Sequence, residues 1–76
     1  MVLGMLTWLR FNGRYYRVYL YDFNVGRYFE FGGRKFRIIN NVVYVLKQIK
    51  GKKLWIKCGR MDGETVVLFR GVSVEV

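Results

Sequence analysis

Thr7-Trp8-Leu9-Arg10-Phe11-Asn12-Gly13-Arg14-Tyr15-Tyr16-Arg17-Val18 is the stretch that decides how this chain folds. Its centre, Asn12-Gly13, suits a two-residue type I′ turn, because both central residues must take positive φ and Asn and Gly do so at least cost. Pairing outward sets Phe11 opposite Arg14, Arg10 opposite Tyr15, Leu9 opposite Tyr16, Trp8 opposite Arg17 and Thr7 opposite Val18. Side chains alternate along a strand, so Thr7, Leu9, Tyr16 and Val18 share one face, with Met5 and Leu20 beyond them. Leu6, Trp8, Arg10, Tyr15, Arg17, Tyr19 and Tyr21 share the other. The first set reads as core and the second as a surface of arginines and aromatic rings.

Four more turn signals extend the pattern: Gly32-Gly33, Asn40-Asn41, Lys50-Gly51 and Asp62-Gly63. The second hairpin sets Glu30 opposite Lys35, a favourable charge pair, and Phe29 opposite Phe36, a favourable aromatic pair. Phe29, Phe31, Phe36 and Ile38 then face inward, with Tyr28, Glu30, Lys35 and Arg37 on the reverse. Asn40-Asn41 pairs Ile38 with Val43 and Phe36 with Val45. Lys50-Gly51 pairs Val45 with Ile56 and Val43 with Cys58, which extends the apolar face without a parity break. Asp62-Gly63 sets Cys58 against Val67, Ile56 against Phe69, Trp55 against Arg70 and Lys57 against Leu68. Asn24-Val25-Gly26 reads as a longer turn, and Val72 to Val76 as a short last strand.

This pattern predicts a mainly β chain, with residues 1–76 forming one small basic β domain. Consecutive hairpins twist, so they are expected to coil into one antiparallel sheet or a small barrel of SH3-like or OB-like size. The competing reading is α+β. Val42, Val45, Leu46 and Ile49 stand at helical spacing, Asn41 suits an N-cap and Gly51 a C′ position. A helix over 41–50 followed by a hairpin would resemble a winged helix. Val42, Val43, Tyr44 and Val45 are better strand formers than helix formers, which favours the all-β pattern.

Composition narrows the function classes. The chain has 76 residues, a formal net charge of +9, 53% hydrophobic and 18% aromatic residues. It is too apolar for a disordered chain. No apolar run reaches the ~18 residues of a membrane span, so no membrane partner is expected. Residues 1–9 lack the basic flank and cleavage pattern of a signal peptide, and the single Cys58 has no internal disulfide partner. Both features point to an intracellular, cytoplasmic setting. Few Gln and Cys beside many Lys and Arg lean toward a thermophilic source.

The inventory offers little for catalysis. There is no His, and the carboxylates Asp22, Glu30, Asp62, Glu64 and Glu75 form no pair in a cleft. Cys58 falls on the inward face with no base to activate it or Ser73. No enzyme activity, cofactor or metal site is expected.

The charge and the aromatic face together point to polyanion binding, with DNA or RNA as the expected partner. The candidate nucleic-acid-binding residues are Trp8, Arg10, Tyr15, Arg17, Tyr19, Arg37, Trp55, Lys57 and Arg70. Arginine forks grip phosphate oxygens, and exposed aromatic rings stack on bases without regard to sequence. The alternative for the same face is packing among its own residues, Arg10 against Tyr15 and Trp55 against Arg70. Lys47, Lys50, Lys52 and Lys53 form a cationic turn that reads first as a solvated hairpin tip. Gly32-Gly33-Arg34-Lys35 lacks the context of a phosphate-binding loop and reads as a turn. A rival function is a protein-interaction module or homodimer, using Leu6, Tyr21, Tyr44, Leu46, Val66 and Leu68 as an apolar outer patch and burying Leu46, Trp55 and Leu68.

Overall fold

Hairpin turns with positive φ organise most of the described chain. A computed structural model describes residues 4–23 and 26–74. Asn12 and Gly13, Gly32 and Gly33, Asn40 and Asn41, and Lys50 and Gly51 all have φ between 50° and 79°. Positive φ at both central positions is the mark of type I′ turns, whose twist matches that of the flanking strands. The strands are β1 (Gly4–Phe11), β2 (Arg14–Phe23), β3 (Gly26–Phe31), β4 (Arg34–Ile39), β5 (Val42–Ile49), β6 (Lys52–Asp62) and β7 (Thr65–Leu68). The 41–50 helix does not form: its β-branched residues pair as β5 with β4 and β6.

The seven strands close into a barrel in chain order. Each is antiparallel to the next, so an odd number leaves the first and last running the same way. The closing pair is therefore parallel, with Leu9 beside Val66 and Arg10 beside Val67. That seam is short, and the buried Thr7 lengthens it by donating its hydroxyl to the Glu64 carbonyl oxygen.

Leu9, Phe11, Val18, Leu20, Phe29, Phe36, Ile38, Val43, Val45, Cys58, Val66 and Leu68 form the core. The rings of Phe29 and Phe36 lie parallel with centroids 4.7 Å apart, fully buried at the centre. Met5 does not join them. It pairs with Leu20 near the start of β1 but remains exposed, because β7 covers β1 only around Leu9 and Arg10.

The last hairpin departs from the pattern in the sequence, and a bulge explains why. Val45 pairs with Ile56 and Tyr44 with Lys57, but Val43 pairs with Gly59 rather than Cys58. One extra residue in β6 puts Cys58 and Gly59 both inside and reverses the alternation after them. The turn is Gly63-Glu64 rather than Asp62-Gly63, and Gly59 meets Leu68 while Met61 meets Val66. Of the two turn residues Gly63 alone has positive φ, 61°, as a type II′ turn requires. Val66 and Leu68 thus enter the core in place of Val67 and Phe69. Gly59 makes this approach feasible, since a Cβ there would overlap the Val67 carbonyl oxygen and lie 3.2 Å from Leu68 Cα.

Residues 72–74 form no strand; Val72 and Val74 pack against the core without ladder pairing. The expected turn at Asn24-Val25-Gly26 and the end of the expected last strand fall partly on residues 24–25 and 75–76, outside the described residues.

Candidate functional site

The β1–β2 hairpin carries its predicted face outward. Trp8, Tyr15 and Tyr19 are 46%, 60% and 53% exposed, large values for aromatic rings on a sheet. Cross-strand register explains their mutual positions. Trp8 lies opposite Arg17, and the Arg17 guanidinium carbon sits 4.4 Å from the centre of the Trp8 ring. Tyr15 lies opposite Arg10 and meets Trp8 edge-on, with centroids 6.3 Å apart. Tyr19 rests over Gly4, where a Cβ would come within 2.5 Å of its Cζ. Gly4 is therefore the residue that lets this ring lie down on the strand. Each ring is braced on one side and open on the other, which suits a flat ligand.

The other predicted residues divide differently. Arg37 and Trp55 stack, with the guanidinium carbon 4.6 Å from the ring centre, but both are half-buried. Tyr28 on β3 meets Trp55 on β6, with centroids 6.4 Å apart, above the strands that separate them. Tyr21 stacks on Tyr28 in turn, and Phe23 meets it edge-on. Arg37 Nε is buried in this cluster without a hydrogen-bond partner. Stacking worth about 0.5–2 kcal/mol offsets part of that cost. Arg37 and Trp55 are thus used within the protein. Lys57 is exposed opposite Tyr44. Arg70 is not beside Trp55, and Lys57 is not beside Leu68, because the β6 bulge shifts the register. Arg70 follows β7 and shares an open groove of about 620 Å³ with Arg10, Asn12 and Gly13.

The antiparallel order also sorts charge between the two ends of the barrel. Successive turns alternate ends, so 12–13, 32–33 and 50–51 share one rim while 40–41 and 63–64 share the other. The first rim gathers Arg10, Arg14, Arg34 and Lys35, then Lys47, Lys50, Lys52 and Lys53, and finally Arg70. Glu30 is the one acid near it among the described residues. Asp22, Asp62 and Glu64 lie toward the other rim, where Asp22 Oδ1 and Arg27 Nε are 3.4 Å apart on the surface. The candidate residues read from the sequence do not show this segregation, although the alternation of turns along the chain signals it. Tyr28 was on the expected outer face, but its contact with Trp55 crosses two strands and no local pairing announces it.

The expected apolar outer patch does not exist as read. Val66 and Leu68 are core residues, and Leu46 and Trp55 are half-buried. Of that set Leu6 is exposed as expected, at 58%, and Phe23, outside the set, is exposed at 54%. Cys58 is enclosed, and burial pushes its thiol up to about 12 against a smaller opposing pull from Lys47. It is a core residue in its ordinary protonated form, unsuited to nucleophilic chemistry.

Comparison with family models, with curated proteins and with solved structures found no match.

Proposed function

We propose that this chain binds nucleic acid with little sequence preference, through base stacking on the β1–β2 face and phosphate contacts from the arginines beside it. The observation that carries the reading is the open set of Trp8, Tyr15 and Tyr19 interleaved with Arg10 and Arg17 on one hairpin. A base stacked on such a ring gains about 1–3 kcal/mol, and every base has a face to offer. The arginines supply charge-assisted bonds to the backbone of the same strand. The net charge of +9 raises the local concentration of a polyanion and speeds encounter.

Tryptophan emission tests this reading directly, because the two indoles differ in access. Titration with a single-stranded oligonucleotide should quench Trp8 strongly and Trp55 little. Trp8→Phe should remove most of the quenching, and Trp8→Ala should weaken binding about tenfold or more. Quenching that survives Trp8→Phe unchanged would place the ligand away from this face.

A protein-contact role is the second reading, favoured by the exposure of Leu6 and Phe23. Sedimentation at rising concentration tests its homodimer form. A dimer abolished by Leu6→Ser would support it, and a monomer at all concentrations would remove the homodimer.

A further inference from the structure

The β5–β6 hairpin runs past the body of the barrel. Pairing between β4 and β5 ends at Phe36 and Val45, and pairing between β6 and β7 begins at Gly59. From Leu46–Trp55 to Ile49–Lys52 the two strands have ladder partners only in each other. These four residue pairs span about 10 Å before the turn. Residues 48–54 are all exposed, including Ile49 at 44% and Leu54 at 42%. A lone two-stranded ribbon is only marginally stable in water. This one is pinned at its base by Trp55, held under Tyr28 and Arg37.

Residues 46–57 carry five lysines and no acid. Register distributes the charges of the arm over both of its faces. Lys47 opposite Leu54 and Lys52 opposite Ile49 share one face, Lys53 opposite Gln48 lies on the other, and Lys50 stands at the tip. On the Lys53 side, an open groove of about 510 Å³ lies between the arm and the Gly32–Gly33 turn, lined also by Arg34 and Lys35 and by Ser73 and Val74 of the segment after β7.

We infer that this arm is a second nucleic-acid element, which enters a groove of a duplex. The inference rests on the proposed binding of nucleic acid and adds a form and a site to it. A single strand lying along the ribbon would meet the lysines of one face and leave the others unused. A duplex groove has a phosphate wall on each side, and the major groove is wide enough for a two-stranded ribbon. Lysines on both faces then find phosphates at once. Ile49 and Leu54 lose their exposure to water inside the groove. The aromatic β1–β2 face remains the platform for unpaired bases, so the two sites separate the two forms of nucleic acid.

Anisotropy titrations of a labelled duplex and a labelled single strand, each over a salt series, test the inference with three proteins: wild type, Lys50→Gln/Lys52→Gln/Lys53→Gln, and Trp8→Ala. Each lost phosphate contact lowers the salt slope by about 0.9 on duplex DNA, so the triple variant should lose about 2.7 of slope and on the order of 100-fold in duplex affinity at low salt. Its single-strand affinity should change far less, and Trp8→Ala should show the reverse selectivity. A thermal melt matching wild type establishes that the exposed substitutions leave the barrel intact, and Lys53→Gln alone gives the slope change of one contact. Wild-type duplex affinity and slope in the triple variant would overturn the arm's role while leaving the β1–β2 reading standing. Equal losses on both forms would overturn the groove assignment. No binding of either form by wild type at low salt would refute the proposed function itself.

Discussion

Gly59→Ala tests whether the β6 bulge and its close contact with β7 govern the barrel. The added Cβ would overlap the Val67 carbonyl oxygen and sit 3.2 Å from both Leu68 Cα and Leu68 Cδ2. Two of these three atoms are backbone, so no rotamer change relieves the clash and β7 itself must move. Overpacking of this kind costs about 1–3 kcal/mol, and a backbone obstacle belongs at the upper end. A chain of this size has about 4–11 kcal/mol of total stability. A loss of 3 kcal/mol lowers Tm by roughly 12–24 °C, at about 4–8 °C per kcal/mol. Thermal melts followed by near-ultraviolet circular dichroism measure it, with Gly13→Ala as the control. Gly13 also has positive φ, 76°, but a Cβ there meets nothing within 4 Å, so its cost is backbone strain of about 1–2 kcal/mol. If Gly59→Ala melts within a few degrees of wild type, or no lower than Gly13→Ala, the reasoning about the bulge is wrong.

Lys50→Asn should stabilise the protein by about 0.5 kcal/mol, because Lys50 holds φ at 51° and Asn-Gly is the better type I′ pair. The same change removes one arm charge, so denaturant midpoint and duplex salt slope should move in opposite directions; a lower midpoint would refute the turn assignment. Thr7→Val should cost about 1 kcal/mol by removing the hydroxyl that bonds the Glu64 carbonyl across the β1–β7 seam, measured by urea denaturation. A neutral result would show that the seam holds without it. Cys58 titrates near 12 when folded and near its ordinary 9.0 when unfolded, so below pH 9 both states keep the proton and stability is unaffected. Above it the unfolded chain loses the proton first, and stability falls by about 1.4 kcal/mol per pH unit until the folded thiol ionises. Denaturation curves for wild type and Cys58→Ala should therefore converge as pH rises above 9, and parallel curves would contradict the burial effect.

The turns were the most readable part of the chain because their chemistry is local. Asn12-Gly13 and Lys50-Gly51 each state a two-residue loop, and a two-residue loop dictates register along both strands. That is why Trp8 over Arg17 and Phe29 on Phe36 follow from sequence alone. At Cys58-Gly59 the register shifts with no turn signal in the sequence. A bulge inserts one residue with no composition of its own to announce it, and it moved Val66 and Leu68 from surface to core. Its consequences spread to the site, separating Arg70 from Trp55 and removing the apolar patch. Exposure was the other quantity beyond local reading. Trp8 and Trp55 both read as outward-facing and each carries an arginine over its ring, yet one lies open on a two-stranded face and the other is covered by Tyr28 from across the sheet. The basic rim needed only the alternation of turns between two ends, but that alternation becomes a surface only once the strands close into a barrel.

The salt dependence of wild-type binding to a labelled single-stranded oligonucleotide addresses the central claim most directly. Log K should fall linearly with log salt, with a slope of about −0.7 for each phosphate contacted, and should retain a residual affinity at high salt from stacking on Trp8, Tyr15 and Tyr19. An affinity independent of salt, or no binding even at low ionic strength, would contradict it.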